Sequence, residues 1–239
     1  MKRNLLKNIF LSLCLVVFPM GMAAKQEATV TSPSGNLTLT AGVDKAGRPY
    51  YSLSRGKEAI LLPSYLGVKL KDGSLDSDFG VMGFVRATKD ETWHQPWGEE
   101  NDVRNHYNEL TMKLAQRKGL KRQLTIVFRV FDDAMGFRYV FPEQKNLKHF
   151  VIMDEETEFC FKGDPEAWTL PYDADYYEGL WTKAPLSKKQ KVCTPITIEA
   201  KPDLYMMLHE ANLTDYASLN VKPVETKEGN VRMRAELVP

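Results

Sequence analysis

Along "RQLTIVFRVFDDAMGFRYVF", Leu124, Ile126, Phe128 and Val130 alternate with other residues, the period of two that puts one face of a strand against a core. Residues 132–136, Asp-Asp-Ala-Met-Gly, then turn the chain into Phe137, Arg138, Tyr139, Val140 and Phe141, so the stretch predicts a hairpin with one buried face. "ATVTSPSGNLTLTAGV" predicts two short strands around a Pro-Ser-Gly-Asn turn. Pro and Gly preset turn dihedrals, while Thr, Val and Leu suit a pleated surface. "PYYSLSRGKEAILLPSYLGVKLKDG" continues the style, and further strands are predicted near 158–161, 196–200, 204–208, 217–221 and 231–237. Helical periodicity is hard to find and βαβ alternation is missing, which together predict an all-β sandwich.

Two stretches do not fit that pattern. "VRATKDETWHQPWGEENDVRNHYNEL" and "FKGDPEAWTLPYDADYYEGLWTKAPLSKKQK" are rich in Trp, Tyr, Pro and acids and poor in periodicity, and are expected to be long ordered loops. Long loops in compact domains tend to be functional.

The chain has 239 residues, 43% hydrophobic and 26% charged, enough to bury a real core in one large domain, or in a large domain with a short appendage. A formal net charge of +1 gives no electrostatic argument for nucleic acid or an anionic membrane as partner, and a small or neutral ligand fits better. The first 24 residues have a basic start (Lys2, Arg3, Lys7), an apolar stretch from Ile9 to Phe18, and small residues at Ala23 and Ala24. They are expected to be a secretory signal peptide, which leaves residues 25–239 as the domain and points to secretion across an inner membrane into the periplasm. The alternative, a membrane anchor, needs about 20 apolar residues, more than this stretch has. Cys14 lies within the signal, without the small residues before it that a lipoprotein site requires. Cys160 and Cys193 remain, able to pair in an oxidising compartment but spaced for no zinc site. The sequence ends on "RMRAELVP", directly after an expected strand, where a truncation is one reading.

No Gly-rich phosphate loop, Gly-x-Ser-x-Gly elbow or His-Glu-x-x-His motif is present, so nucleotide, acyl-transfer and zinc-protease chemistry lack sequence support. Carboxylates and aromatics remain. Trp93, Trp97, Trp168, Trp181, Tyr172, Tyr176 and Tyr177 stand beside acids in the two irregular stretches. Aromatic faces pack on pyranose rings while carboxylates bind hydroxyls, which suits a sugar. The same aromatics also suit loops stapled onto a sandwich. In "MLHEANLTDY", a strand over 204–208 points Leu204, Met206 and Leu208 to one face and places His209 and Glu210 on opposite sides of its end. Glu210 can be a calcium ligand, though Ca²⁺ takes about six to eight oxygens and one carboxylate supplies at most two. A solvated surface glutamate is the other reading.

"PWGEENDVRNHYNELTMKL", "VFRVFDDAMGFRYVFPEQKNLKHFVI" and "MLHEANLTDYASLNV", in this order behind a signal peptide, resemble the N-terminal domain of glycoside hydrolase family 97, nearest its starch-utilisation α-glucosidase branch. The resemblance runs from about Ser32 to the end of the chain. It implies a galactose-mutarotase-like β-supersandwich that packs on a catalytic (β/α)8 barrel and acts on α-linked oligosaccharides. It also implies a Ca²⁺ ion held mainly by barrel glutamates, with one ligand from the N-terminal domain, matched here by Glu210 in "LHEANL". His209 and Asp215 stay without a role. The family's general acid and its base or nucleophile lie in the barrel, so no catalytic pair is assigned to this chain and it is expected to be inactive alone. An α-galactosidase of the same family and a non-catalytic carbohydrate-binding module are the alternatives. A relic that folds poorly, with an apolar face left bare, is a third.

Overall fold

In a computed structural model the described residues are 26–173 and 178–238; the stretch expected to be a signal peptide lies outside them. Eighteen strands are assigned among these residues. β1 (Glu27–Thr31), β2 (Leu37–Val43), β3 (Pro49–Arg55) and β4 (Glu58–Tyr65) form a meander. Short β5 (Val68–Leu70) and β6 (Gly73–Leu75) follow, then β7 (Phe79–His94), β8 (Asp102–Gln116), β9 (Gln123–Val130) and β10 (Met135–Val140). The second half holds β11 (Ile152–Glu155), β12 (Glu158–Phe161), β13 (Glu166–Pro171), β14 (Thr182–Pro185), β15 (Val192–Lys201), β16 (Leu204–Leu208), β17 (Leu219–Lys227) and β18 (Asn230–Leu237).

These strands make an eleven-stranded antiparallel sheet in the order β1-β2-β3-β4-β12-β18-β17-β15-β13-β14, with β16 also paired to β15. A four-stranded sheet β10-β9-β8-β7 and a three-stranded sheet β11-β5-β6 complete the fold. The all-β sandwich expected from the sequence is therefore present. The predicted hairpin is β9–β10, with Phe137 opposite Phe128 and Tyr139 opposite Ile126.

One continuous core fills the space between the sheets. Leu39 and Ala41 of β2, Tyr51 of β3, Leu110, Met112 and Leu114 of β8, and Leu124, Ile126 and Phe128 of β9 are all fully buried in it. Burying a large apolar side chain contributes about 1.5–3 kcal/mol each, so strands whose inward positions are this consistently apolar hold their register. The rings of Tyr51, Phe128 and Phe137 meet at 5.4–6.1 Å between centroids. The Tyr51 hydroxyl donates to the Glu158 carbonyl oxygen at 3.0 Å, which satisfies the polar end of an otherwise apolar side chain.

The first irregular stretch is not a loop. It is the β7–β8 hairpin, paired from Phe79–Gln116 to His94–Asp102. β9 accompanies β8 only as far as Asn108, so the rungs from Lys89–Tyr107 outward form a two-stranded arm. Residues 85–94 are exposed on both faces, which removes the alternation by which a half-buried strand is recognised. Polar cross-strand pairs hold the arm together. Arg104 donates to both carboxylate oxygens of Asp90 at 2.8 and 2.7 Å, and Asn105 donates to Glu91 at 2.9 Å. The second irregular stretch is partly strand as well, supplying β13 and β14 on either side of residues 174–177, which lie outside the described residues together with Tyr176 and Tyr177.

Candidate functional site

β16 carries the candidate metal ligand at its end. Leu204, Met206 and Leu208 pack half-buried against the core while Tyr205 and Met207 face outward, the alternation predicted from the sequence. Beyond Leu208, His209 is exposed and Glu210 is half-buried. The Leu219 backbone N–H donates to Glu210 Oε2 at 3.1 Å, so the carboxylate closes the loop that leads back into β17 and has a fixed orientation. Asp215 is exposed and has φ +52°, the left-handed conformation that aspartate tolerates at a turn.

A second acid, Glu155 at the end of β11, stands near Glu210. Glu155 Oε2 accepts from the Tyr216 hydroxyl at 3.1 Å, and its other oxygen accepts from Thr157 Oγ1. Thr157 is bonded in turn to the Tyr139 hydroxyl at 2.7 Å, and the Tyr139 oxygen accepts the Gly67 N–H at 3.0 Å. Burial pushes the Glu155 carboxyl above its ordinary range, and the negative charges of Asp154 and Glu210 push in the same direction. Burial beside Glu155 likewise raises the Tyr216 phenol.

This corner gathers carboxylate oxygens with a preset direction, the donor chemistry of a hard cation such as Ca²⁺. Glu210 fits as one ligand of such an ion. Among the described residues no group of three or more His, Cys, Asp or Glu is placed to hold a metal by itself. His209 and Asp215 are not drawn into the corner. The sequence reading missed Glu155 and Tyr216. Tyr216 shares a segment with Glu210, but Glu155 is 55 residues away, and only the fold joins them.

The aromatics divide into two groups. Trp93 and the 80% exposed Trp97 sit on the β7–β8 arm, while Trp168 and Trp181 lie on the eleven-stranded sheet with Tyr205. Lys191 Nζ lies over the Tyr172 ring at 3.8 Å. Cys160 is buried and Cys193 half-buried, and both are free thiols, so the pairing allowed by the sequence is not made.

Residues 30–237 match the family described as Glycosyl-hydrolase 97 N-terminal, and the chain belongs to it. Among curated relatives it is 28% identical to the "Retaining alpha-galactosidase" of Bacteroides thetaiotaomicron over 235 residues, 92% of this chain and 34% of that protein. It is 25% identical to the "Probable retaining alpha-galactosidase" of Streptomyces bingchenggensis, over 76% of this chain and 28% of that one. A family 97 glycoside hydrolase from Pseudoalteromonas sp., solved with acarbose and in a variant form with panose, superposes with TM-score 0.81 at 30% identity, covering 89% of this chain and 32% of that structure. The chain thus spans about a third of the length of the relatives it matches.

Proposed function

We propose that this chain is the N-terminal domain of a secreted, calcium-dependent α-glucosidase that hydrolyses terminal α-glucosidic bonds of maltooligosaccharides. In that role it supports a catalytic (β/α)8 barrel and donates Glu210 to the calcium site. The observation that carries the reading is the Glu210 corner, a half-buried carboxylate fixed by the Leu219 N–H at a strand end, within a chain that matches the family almost throughout. Calcium bound there would supply positive charge that orients sugar hydroxyls. The chain's own residues aim and shield the Glu210 carboxylate. Leu219 fixes its direction, and the neighbouring charge of Glu155 makes a cation at this corner favourable. The acid and base of hydrolysis belong to the barrel in this reading, with water attacking directly and inversion at the anomeric carbon.

The names of the curated relatives favour a second reading, a retaining α-galactosidase built on the same domain. Acarbose and panose in the solved relatives support the glucosidase. The test is hydrolysis of p-nitrophenyl α-glucoside and α-galactoside, with calcium and with a chelator, by this 239-residue chain and by the enzyme in which a barrel follows it. We expect no turnover by the chain alone and chelator-sensitive glucoside turnover by the longer enzyme. Faster galactoside turnover moves the assignment to the second reading. Turnover by the chain alone overturns both.

A further inference from the structure

The outward face of the sheet beside β16 has the wrong composition for a solvated surface. In an antiparallel sheet with one face in the core, the other face is normally polar. The inward positions here, Ala167, Ile198 and Met206, pack in the core as expected. The opposite face carries two adjacent rows. One runs Lys183–Trp168–Thr197–Met207 across β14, β13, β15 and β16, and the next runs Glu166–Glu199–Tyr205. Tyr205 is 58% exposed, Met207 71% and Trp181, just before β14, 53%.

Trp168, Trp181, Thr197 and Tyr205 line an open hollow of about 410 Å³. The Trp168 and Tyr205 rings stand 6.3 Å apart, inclined by 40°, so they form an angled platform rather than a closed stack. Its polar rim is set by Lys183, whose Nζ lies 4.4 Å over the Trp168 ring and bridges Glu166 at 3.0 Å and Glu199 at 2.7 Å. Two carboxylates around one ammonium leave acceptor oxygens at the edge of the aromatic floor, with one excess negative charge.

We propose that this platform binds a neutral oligosaccharide, with pyranose rings against Trp168, Trp181 and Tyr205 and their hydroxyls donating to Glu166 and Glu199. The apolar face of a pyranose offers C–H groups to the negative face of an aromatic ring, and its rim of hydroxyls matches fixed carboxylates and the Thr197 hydroxyl. A purely apolar partner would strand the Lys183–Glu166–Glu199 group away from water, and an anionic partner would meet the excess negative charge. The site is shallow, so it suits a chain passing over it. The choice of an α-glucan as first probe rests on the proposed function, but the platform does not.

The test is the tryptophan fluorescence of the 239-residue chain titrated with maltoheptaose and, separately, with a galacto-oligosaccharide. Saturation is expected with a dissociation constant of about 1 mM. Trp181→Ala and Tyr205→Ala should each weaken it about tenfold, the loss of one ring face. Both residues are more than half exposed, so the variants should keep the parent's melting temperature, and Trp97→Ala on the arm should bind as the parent does. Saturation with the galacto-oligosaccharide alone, still sensitive to Tyr205→Ala, upholds the platform and counts against the α-glucoside reading. No saturation with either sugar overturns the platform. So does binding that Trp97→Ala abolishes and Tyr205→Ala spares.

Discussion

Glu155 pays for its position, since its carboxyl is half-buried between β11 and the loop that follows β16 and has Asp154 and Glu210 as like-charged neighbours. Its folded-state pKa therefore lies above the unfolded value. A group shifted in that direction contributes stability below the unfolded pKa, about 4.3 for glutamate, and loses it as pH rises through the folded pKa. Glu155→Gln removes the half-buried charge yet keeps groups that can bond to the Thr157 and Tyr216 hydroxyls. We expect it to raise the melting temperature at pH 7 by about 2–4 °C, for roughly 1 kcal/mol, with the gain gone at pH 4 in calorimetry. Glu210 separates into two functions by the same logic. Glu210→Gln retains an acceptor for the Leu219 N–H and should leave the chain's stability unchanged. Glu210→Ala loses that hydrogen bond, worth about 1 kcal/mol. In the barrel-containing enzyme both should weaken calcium binding and activity together, and unchanged calcium affinity in Glu210→Gln would remove the ligand assignment. The sequence pointed to Glu210 because its segment is recognisable and its strand alternates. It could not point to Glu155, whose relation to Glu210 exists only in three dimensions.

Among the elements, legibility followed burial. β9, β12 and β16 could be placed because one face of each packs on the core, and the β9 positions Leu124, Ile126, Phe128 and Val130 are all fully buried. The outer half of β7 has no inward face, so the same rule reads it as loop. That difference should also appear in dynamics. A two-stranded ribbon beyond the reach of a third strand is marginal by itself, and its hydrogen bonds open without disturbing the core. Amides of residues 89–94 and 102–107 should exchange with deuterium well before those of 110–114 and 124–128. Replacing residues 90–106 with Asn-Gly, a two-residue hairpin turn joining Lys89 to Tyr107, should leave a cooperative transition within about 4 °C of the parent. A larger fall would mean that the half-buried positions on the β8 side of the arm, Val103, Asn105 and His106, contribute to the sandwich.

At the scale of the whole molecule, the core and the Glu210 corner differ in what calcium could add to them. The core is continuous across all three sheets and is built from apolar side chains, with no ionic group among its described residues that calls for a metal. The corner offers one well-aimed carboxylate in Glu210 with a second acid beside it, far from the oxygen count that a calcium ion takes. A ligand that binds the folded state raises its stability by RT ln(1 + [L]/Kd), so an ion with a Kd of about 10 mM adds almost nothing at 1 mM. We therefore expect the melting temperature of the 239-residue chain to be the same, within about 1 °C, in 1 mM calcium and in excess chelator. If the proposed function holds, the two conditions should separate in the barrel-containing enzyme, where barrel ligands would complete the shell. A marked loss of stability in the isolated chain on chelation would show that it builds a calcium site of its own, and Glu155, Asp154 and Glu210 would be the first residues to substitute.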